Sequence, residues 1–355
     1  VRPGPTGTRL VTLRIDGTEG GGQLLRTALS LAVVTDTPFR IDHVRGARPT
    51  PGLRPQHLAA VTLAAECCEA TVRGAELGSP TLTFRPGASR TRTLTAAVAT
   101  AGSVTLLFDT LLPIAVLDDG PYALTATGGT DVKWAPTVAY YRHVKLPLLA
   151  RFGVDARISL GRTGYYPAGG GRATLSTGDS SLAPVELTDR GALDRVDIYS
   201  KAAAVLEDRS VAARQATQAS DRLAAAGFSA EVRAVEYAET HSAGSSLLLC
   251  GVYEGTRLGV DALGERGRTS EAVADGAVDR FLTAHENGAP VDEHMGDQLL
   301  VFLALAGGRL RVPRVTSHVR TNLDVLRRFG ADIGIVGGED GPAVVEASPH
   351  PAVSR

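Results

Sequence analysis

The chain has 355 residues, 43% hydrophobic and 21% charged; domains usually run to ~100–200 residues, so two are expected, with room for a large core. Its 37 basic and 38 acidic side chains leave a formal net charge of -1, which excludes a protein that coats nucleic acid by bulk electrostatics but not a local arginine cluster gripping one phosphate. The composition also excludes a disordered, collagen-like or coiled-coil chain.

In chain order, residues 1–8 are rich in Pro and Gly and carry no apolar region of the secretory kind. A strand ends at Ile15-Asp16. Apolar periodicity then predicts a helix over 23–33, a strand over 39–44 and a second helix over 56–69. The same succession returns at 104–116, 122–127 and 136–152, and again at 298–306, 310–315 and 319–329. Arg151-Phe152-Gly153-Val154-Asp155-Ala156 and Arg328-Phe329-Gly330-Ala331-Asp332-Ile333 each read as a glycine stop, a short linker and an alternating strand, with Cys68-Glu69-Ala70-Thr71-Val72 a weaker copy.

The pattern predicts an α/β body of three helix-strand-helix-hairpin units with pseudo-threefold packing. Between units two and three lies a stretch of different character, with strands at 196–199, 229–235 and 246–253 and an Arg/Ala-rich helix at 208–225. The expected division is a body over 9–183, a smaller inserted α/β domain over 184–279, the third unit over 280–341 and a C-terminal tail over 342–355, with a turn at 338–341 and frayed residues from 348 onward.

Asp16-Gly17-Thr18-Glu19-Gly20-Gly21-Gly22-Gln23 joins a strand end to a helix start. Bare backbone amides there suit an anion, although the same residues fit a plain tight turn, and the spacing is neither a Walker loop nor a dinucleotide fingerprint. Arg45, Arg48 and Arg54 precede Gln56-His57; they suit a phosphate, or a solvated surface. Gly128-Gly129-Thr130-Asp131 and the loop leading to His318 hold the corresponding places in units two and three, so Gln56-His57, Pro136 and His318 are expected on one rim. Taken alone, His318 also fits a helix cap.

Asp292-Glu293-His294-Met295-Gly296-Asp297 lacks the spacing of a zinc helix and fits capping carboxylates better than a metal site. There is no Gly-x-Ser-x-Gly elbow, no Cys-x-x-Cys and no His-Glu-x-x-His, which leaves common hydrolase and zinc readings without support. Cys67, Cys68 and Cys250 offer no disulfide framework, and no apolar run approaches the ~20 residues of a membrane span, so a cytoplasmic protein is expected. Lys133, Lys145 and Lys201 are the only lysines, and none stands in a Lys-x-Asp-Gly context.

Glu19-Gly-Gly-Gly-Gln, Arg26-Thr-Ala-Leu-Ser-Leu, Pro51-Gly-Leu with Gln56-His57, Gly128-Gly-Thr-Asp131, Tyr166-Pro-Ala-Gly-Gly-Gly171, Asp297-Gln298-Leu, and His318 with Thr321-Asn322 occur in an order that resembles the RNA 3′-terminal phosphate cyclase family, from about Ile15 to Gly337. The resemblance implies an enolpyruvyl-transferase-like body and a nucleotidyl-transferring ligase. Such an enzyme uses ATP and Mg2+ (or Mn2+) to convert an RNA 3′-phosphate into a 2′,3′-cyclic phosphodiester through a histidine-AMP intermediate and an RNA-adenylate.

By that resemblance His318 is the nucleophile and Glu19 the metal ligand. Arg26, Arg45 and Arg48 contact phosphate, Gln56 and His57 are active-site positions, Pro136 packs on adenine and Asp297 belongs to the nucleoside pocket. Three positions depart from the pattern. Thr18 replaces a glycine in a loop two residues shorter than the common form. Asp109 stands where some members have glutamine, so it is expected to repel a triphosphate unless it binds metal or turns away. His294 stands where a tyrosine can stack on adenine. The alternatives are a non-catalytic cyclase-like RNA-binding assembly factor and an enolpyruvyl-type transferase of the same fold.

Overall fold

The computed structural model describes residues 12–99, 101–118, 120–338 and 341–354. The first unit runs β1 (Leu13–Asp16), α1 (Gly22–Thr35), β2 (Phe39–Asp42), α2 (Pro55–Cys68), β3 (Thr71–Arg73) and β4 (Leu82–Arg85). In the second, β5 (Thr93–Ala97), α3 (Thr105–Ala115) and β6 (Ala123–Gly128) lead to the short helices α4 (Val138–Tyr140) and α5 (Leu146–Ala150), followed by β7 (Ala156–Arg162) and β8 (Gly171–Thr177). Next comes β9 (Val185–Leu187). An inserted segment carries β10 (Leu193–Ala203), α6 (Val211–Ala225), β11 (Ala230–Ala238), β12 (Ser245–Tyr253), β13 (Arg257–Leu263) and α7 (Ser270–Asn287). The chain then returns with α8 (Glu293–Gln298), α9 (Leu300–Ala306), β14 (Gly308–Val312), α10 (Ser317–Arg328), β15 (Ile333–Val336) and β16 (Ala343–Ala347).

The fold is α/β, and its three body sheets share one strand order, β1-β2-β4-β3, β5-β6-β8-β7 and β9-β14-β16-β15. In each, the first pair is parallel and the other two are antiparallel. The strands alternate as half-buried strands must: Leu124 and Ala126 of β6 face inward while their neighbours are half-exposed. α1 instead buries residues around most of its girth, because α2, α3 and α10 all pack against it. The expected glycine stops are real turns, with φ of +84° at Gly153 and +94° at Gly330, while the weaker copy makes the turn with Glu69 at +52°.

The single helix expected over 136–152 is interrupted by a π turn, Tyr141–Lys145. Pro147 supplies the reason: it has no N–H to donate back to the carbonyl of His143, which accepts instead from the thiol of Cys250 at 3.5 Å. The helix expected over 298–306 is likewise divided, at the α8–α9 junction.

Two expected boundaries move. Residues 184–187, assigned from sequence to the insertion, contain β9, which pairs in parallel with β14 and so completes the third sheet. At the other end, α7 does not stop at 279 but runs to Asn287, because Val273, Ala277, Val278 and Phe281 pack with Leu223 of α6 onto the inserted sheet. The tail expected over 342–355 is also overturned. β16 lies between β14 and β15 with Val345 wholly buried, supplying the hairpin strand the third unit needs. His350 beyond it is buried, a ring nitrogen 3.1 Å from the Phe329 carbonyl, so the segment is not frayed there. The expectations for 1–8 and for Glu339-Asp340 lie outside the described residues.

The insertion docks on the second unit through buried polar contacts. Lys201 Nζ lies 3.0 Å from Asp131, whose other oxygen accepts from Ser246 at 2.8 Å. Asp261 accepts from the Thr137 backbone N–H at 2.9 Å. Asp292 accepts from the Tyr140 hydroxyl at 2.7 Å and from the Gly259 N–H at 3.2 Å. Among the described residues no helix is long and apolar enough to cross a membrane.

Candidate active site

The loop from β1 to α1 has its path fixed at its start. Thr18 donates through both its N–H and its hydroxyl to Asp16, and its carbonyl accepts from Ala47. The departure at Thr18 therefore brings its own anchor. The loop then delivers Gly21 as an α1 N-cap without side-chain cap, so the first amides of the helix are not blocked by a side chain. Gly22 has a steric reason to be glycine: a β-carbon would sit 2.6 Å from His57 Nε2 and 3.0 Å from an Arg26 nitrogen.

Against this loop comes the first turn of α10. Thr316 caps it by accepting from Val319 at 3.1 Å, which leaves Ser317 and His318 facing outward. Glu19, Gly21, Gln23, Arg48, His318 and Asn322 line one cleft of about 290 Å³. A β-carbon on Gly21 would lie 3.4 Å from Arg48 and 4.0 Å from the His318 ring. The halves are pinned by Thr27, which donates to Asn322 at 2.9 Å, and by Asn322, which donates to the Asp297 carbonyl at 3.0 Å.

Electrostatics keep the histidines neutral. Partial burial first, then Arg48, Arg26 and His294, hold the His318 imidazole below its ordinary range, against the pull of Glu293. Burial, with Arg26, Arg45 and Arg54 behind it, pushes His57 down to about 3. His57 Nδ1 accepts from the Arg54 N–H at 3.1 Å, which assigns the proton to Nε2, on the side of Gly22 and Arg26. Arg45 braces its loop, donating to the carbonyls of Thr50 and Gly52. The Arg48 N–H donates to the Arg45 carbonyl at 3.1 Å, but its guanidinium makes no hydrogen bond or ion pair among the described residues.

A second cleft shares Gln23 and Asn322 with the first and adds Arg26, Asp109, Lys145 and Gln298. Asp109 is not a free anion there. Lys145 Nζ lies 2.5 Å from its carboxylate and 2.8 Å from Gln298. Burial pulls the Lys145 ammonium below its ordinary range while Asp109 acts in the opposite sense. Burial also raises Asp297 to about 7, against His294, Lys145 and Arg26. Lys145 and Asn322 were not assigned site roles from sequence; the available signal for Lys145 was a lone charge in the otherwise apolar run Val144-Lys145-Leu146-Pro147-Leu148.

The remaining predicted residues stand around these clefts rather than in their walls. The Gln56 side chain accepts from the Ser103 N–H at 3.3 Å. The Ser103 hydroxyl pairs with Thr105, and Thr105 donates to the carbonyl of the buried Pro136, so the second unit's loop reaches the first through a chain of hydrogen bonds. His294 is exposed in the first turn of α8, where Asp292 is the capping carboxylate expected from sequence. Among the described residues no three His, Cys, Asp or Glu side chains gather as a metal cluster.

The comparisons with known proteins agree with the motif series. The family model described as RNA 3′-terminal phosphate cyclase matches residues 17–333. The RNA 3′-terminal phosphate cyclase of Halobacterium salinarum is 44% identical over 344 residues, 94% of this chain and 99% of that protein. Those of Caldivirga maquilingensis and Methylococcus capsulatus are 41% and 39% identical, over 89% and 97% of this chain and 92% and 98% of their own. The solved enolpyruvyl transferase NikO from Streptomyces tendae aligns with 97% of this chain and 50% of its own at 14% identity and a TM-score of 0.39, a likeness too slight to carry an argument. On the family match and these identities, the chain belongs to the RNA 3′-terminal phosphate cyclase family.

Proposed function

We propose that this chain converts an RNA 3′-terminal phosphate into a 2′,3′-cyclic phosphodiester at the expense of ATP, with His318 as the nucleophile. The observation that carries the reading is a neutral imidazole facing the same cleft as Glu19, the uncapped glycine turn and an unpartnered Arg48.

A neutral ring has the lone pair that attack on phosphorus requires. Its nitrogen bonds to the α-phosphorus of ATP, the bond to the bridging oxygen breaks, and pyrophosphate leaves. A terminal phosphate oxygen of the RNA then attacks the same phosphorus, taking AMP and freeing the ring. Finally the neighbouring 2′-oxygen attacks the RNA phosphorus, losing its proton as AMP departs. Arg48, Arg26 and the α1 amides supply positive charge where phosphate oxygens gain negative charge. The Lys145 pair lets Asp109 lie near that charge without repelling it.

Glu19 is a lone carboxylate, and that donor set fits Mg2+ or Mn2+, which draws its remaining ligands from phosphates and water. A metal bound there neutralises phosphate charge. The test is incubation with α-labelled ATP and magnesium. An acid-labile, alkali-stable labelled adduct is expected, lost in His318→Ala; folded wild-type protein that never takes up label refutes the reading. Multiple-turnover pyrophosphate release that requires both ATP and a 3′-phosphorylated oligonucleotide separates it from an enolpyruvyl-type transferase.

A further inference from the structure

Each unit's second strand is followed by a loop. After β2 that loop carries Arg45 and Arg48, and after β14 it leads into His318; Arg48 and His318 line the first cleft described above. The equivalent loop after β6 carries Trp134, the only tryptophan of the chain, and its indole is 96% exposed.

That exposure is not the slackness of a loose loop. On one side Val132 is buried and Lys133 forms a 2.8 Å ion pair with Glu265 of the insertion. On the other, Pro136 accepts from Thr105 and Thr137 donates to Asp261. Trp134 itself is held at φ +69°, a conformation costly for a bulky residue. Folding the ring onto the protein would remove its large apolar surface from water, yet the anchored backbone presents it outward. The neighbouring loop, tied to Thr130 by two hydrogen bonds with Gly164, presents a second exposed aromatic, Tyr166, at 76%.

We infer that Trp134 is a stacking platform for an unpaired base of the RNA strand leading to the 3′ end. An RNA end has bases whose flat faces need covering, and aromatic side chains cover them without regard to sequence. Stacking also suits a chain of net charge -1, since grip beyond the terminal phosphate then comes from surface contact rather than bulk charge. The inference rests on the RNA reading proposed above but concerns a surface outside the His318 cleft.

Because Trp134 is the sole tryptophan, emission excited at wavelengths beyond tyrosine absorption reports on it alone. The full chain is titrated, without ATP, with an oligoribonucleotide bearing a 3′-phosphate and with the same strand carrying abasic sugars in its last positions. Quenching by the first and not by the second is expected. Trp134→Ala is expected to weaken RNA affinity, read by anisotropy, about ten-fold, and Trp134→Phe to recover most of it. Unchanged emission at RNA saturation, equal quenching by the abasic strand, quenching by ATP alone, or unaltered affinity of a folded Trp134→Ala each overturns the inference. The label-transfer assay on the wild type keeps the two proposals apart: an adduct formed by a protein whose Trp134 ignores RNA sinks the platform and leaves the cyclase reading standing.

Discussion

Two regions of this chain gather charged side chains, and they treat them in opposite ways: one buries them and the other leaves them open to solvent. At the junction between the second unit and the insertion, the buried charges named above are matched within the fold. Asp131 meets Lys201 and Ser246, Asp261 meets a backbone N–H, and Asp292 collects a phenol and a backbone N–H. In the cleft between the first and third units, the Arg48 guanidinium has no hydrogen bond or ion pair and Glu19 is the one lining carboxylate among the described residues, and the first amides of α1 lack a side-chain cap. A matched buried charge is spent inside the structure, whereas an unmatched cluster of cations and amides keeps its interaction energy for an anion. Under the function proposed above, the first region is the fastening and the second the workplace.

The sharpest way to break that contrast is His318→Ala. Loss of the labelled adduct and a fall in cyclisation of about 10⁴-fold or more are expected, with the melting temperature nearly unchanged. A variant that melts far lower would mean that the ring is part of the scaffold.

Arg48→Ala comes next. Removing one preorganised charge at a phosphate site costs about 10²-fold in turnover, and it also takes away one of the causes that hold the His318 pKa down. A protonated imidazole cannot attack, so adduct formation by the wild type is expected to stay full until the pH falls below the free histidine value of ~6.5. In Arg48→Ala that acid limb moves upward. A limb that stays put would show that Arg48 does not act on the ring.

At the junction the expected signature is reversed. Asp131→Asn strands a buried ammonium, at a cost on the order of 3–5 kcal/mol read as a lowered denaturation midpoint, while adduct formed per folded molecule is unchanged. Pairing it with Lys201→Met, which removes the stranded charge, restores much of the loss. Lost adduct at unchanged stability would erase the distinction between the two regions.

The last signature, spread over the widest range of conditions, is the pH dependence of stability. His57 has a folded pKa of about 3, below its unfolded value, so its contribution is complete above ~6.5 and declines as the pH falls toward 3, by up to about 1.4 kcal/mol per unit. Asp297, raised to about 7, works in the opposite sense, costing stability as the pH rises from its ordinary carboxylate range toward 7. His57→Gln is expected to flatten the acid side of the profile and Asp297→Asn the neutral side, measured by denaturant midpoints at successive pH values. Profiles unchanged in both variants would show that neither group is perturbed by its burial.

Much of this was legible without coordinates, for a local reason. The glycine stops at Gly153 and Gly330, the Asp292 cap and the alternation of β6 are properties of neighbouring residues, and neighbours are what a sequence displays. β9 and β16 were not legible. Val185–Leu187 and Ala343–Ala347 are short apolar segments that become strands because β14 is there to pair with them. Asp109 looked like a liability because its partner, Lys145, lies 36 positions away. Trp134 drew no notice because a lone aromatic in a loop says nothing of whether it is covered.

The order of elements, the repeated unit and the residues able to do phosphate chemistry were thus determined by the sequence itself, through periodicity, glycine placement and motif order. Which of those residues face one another was decided only by the tertiary structure. The packing of α1 against α10 carries the glycine turn to His318, and burial within the folded chain moves the pKa values of His318, His57 and Asp297. Burial and long-range fields depend on atoms distant along the chain, so no local pattern encodes them.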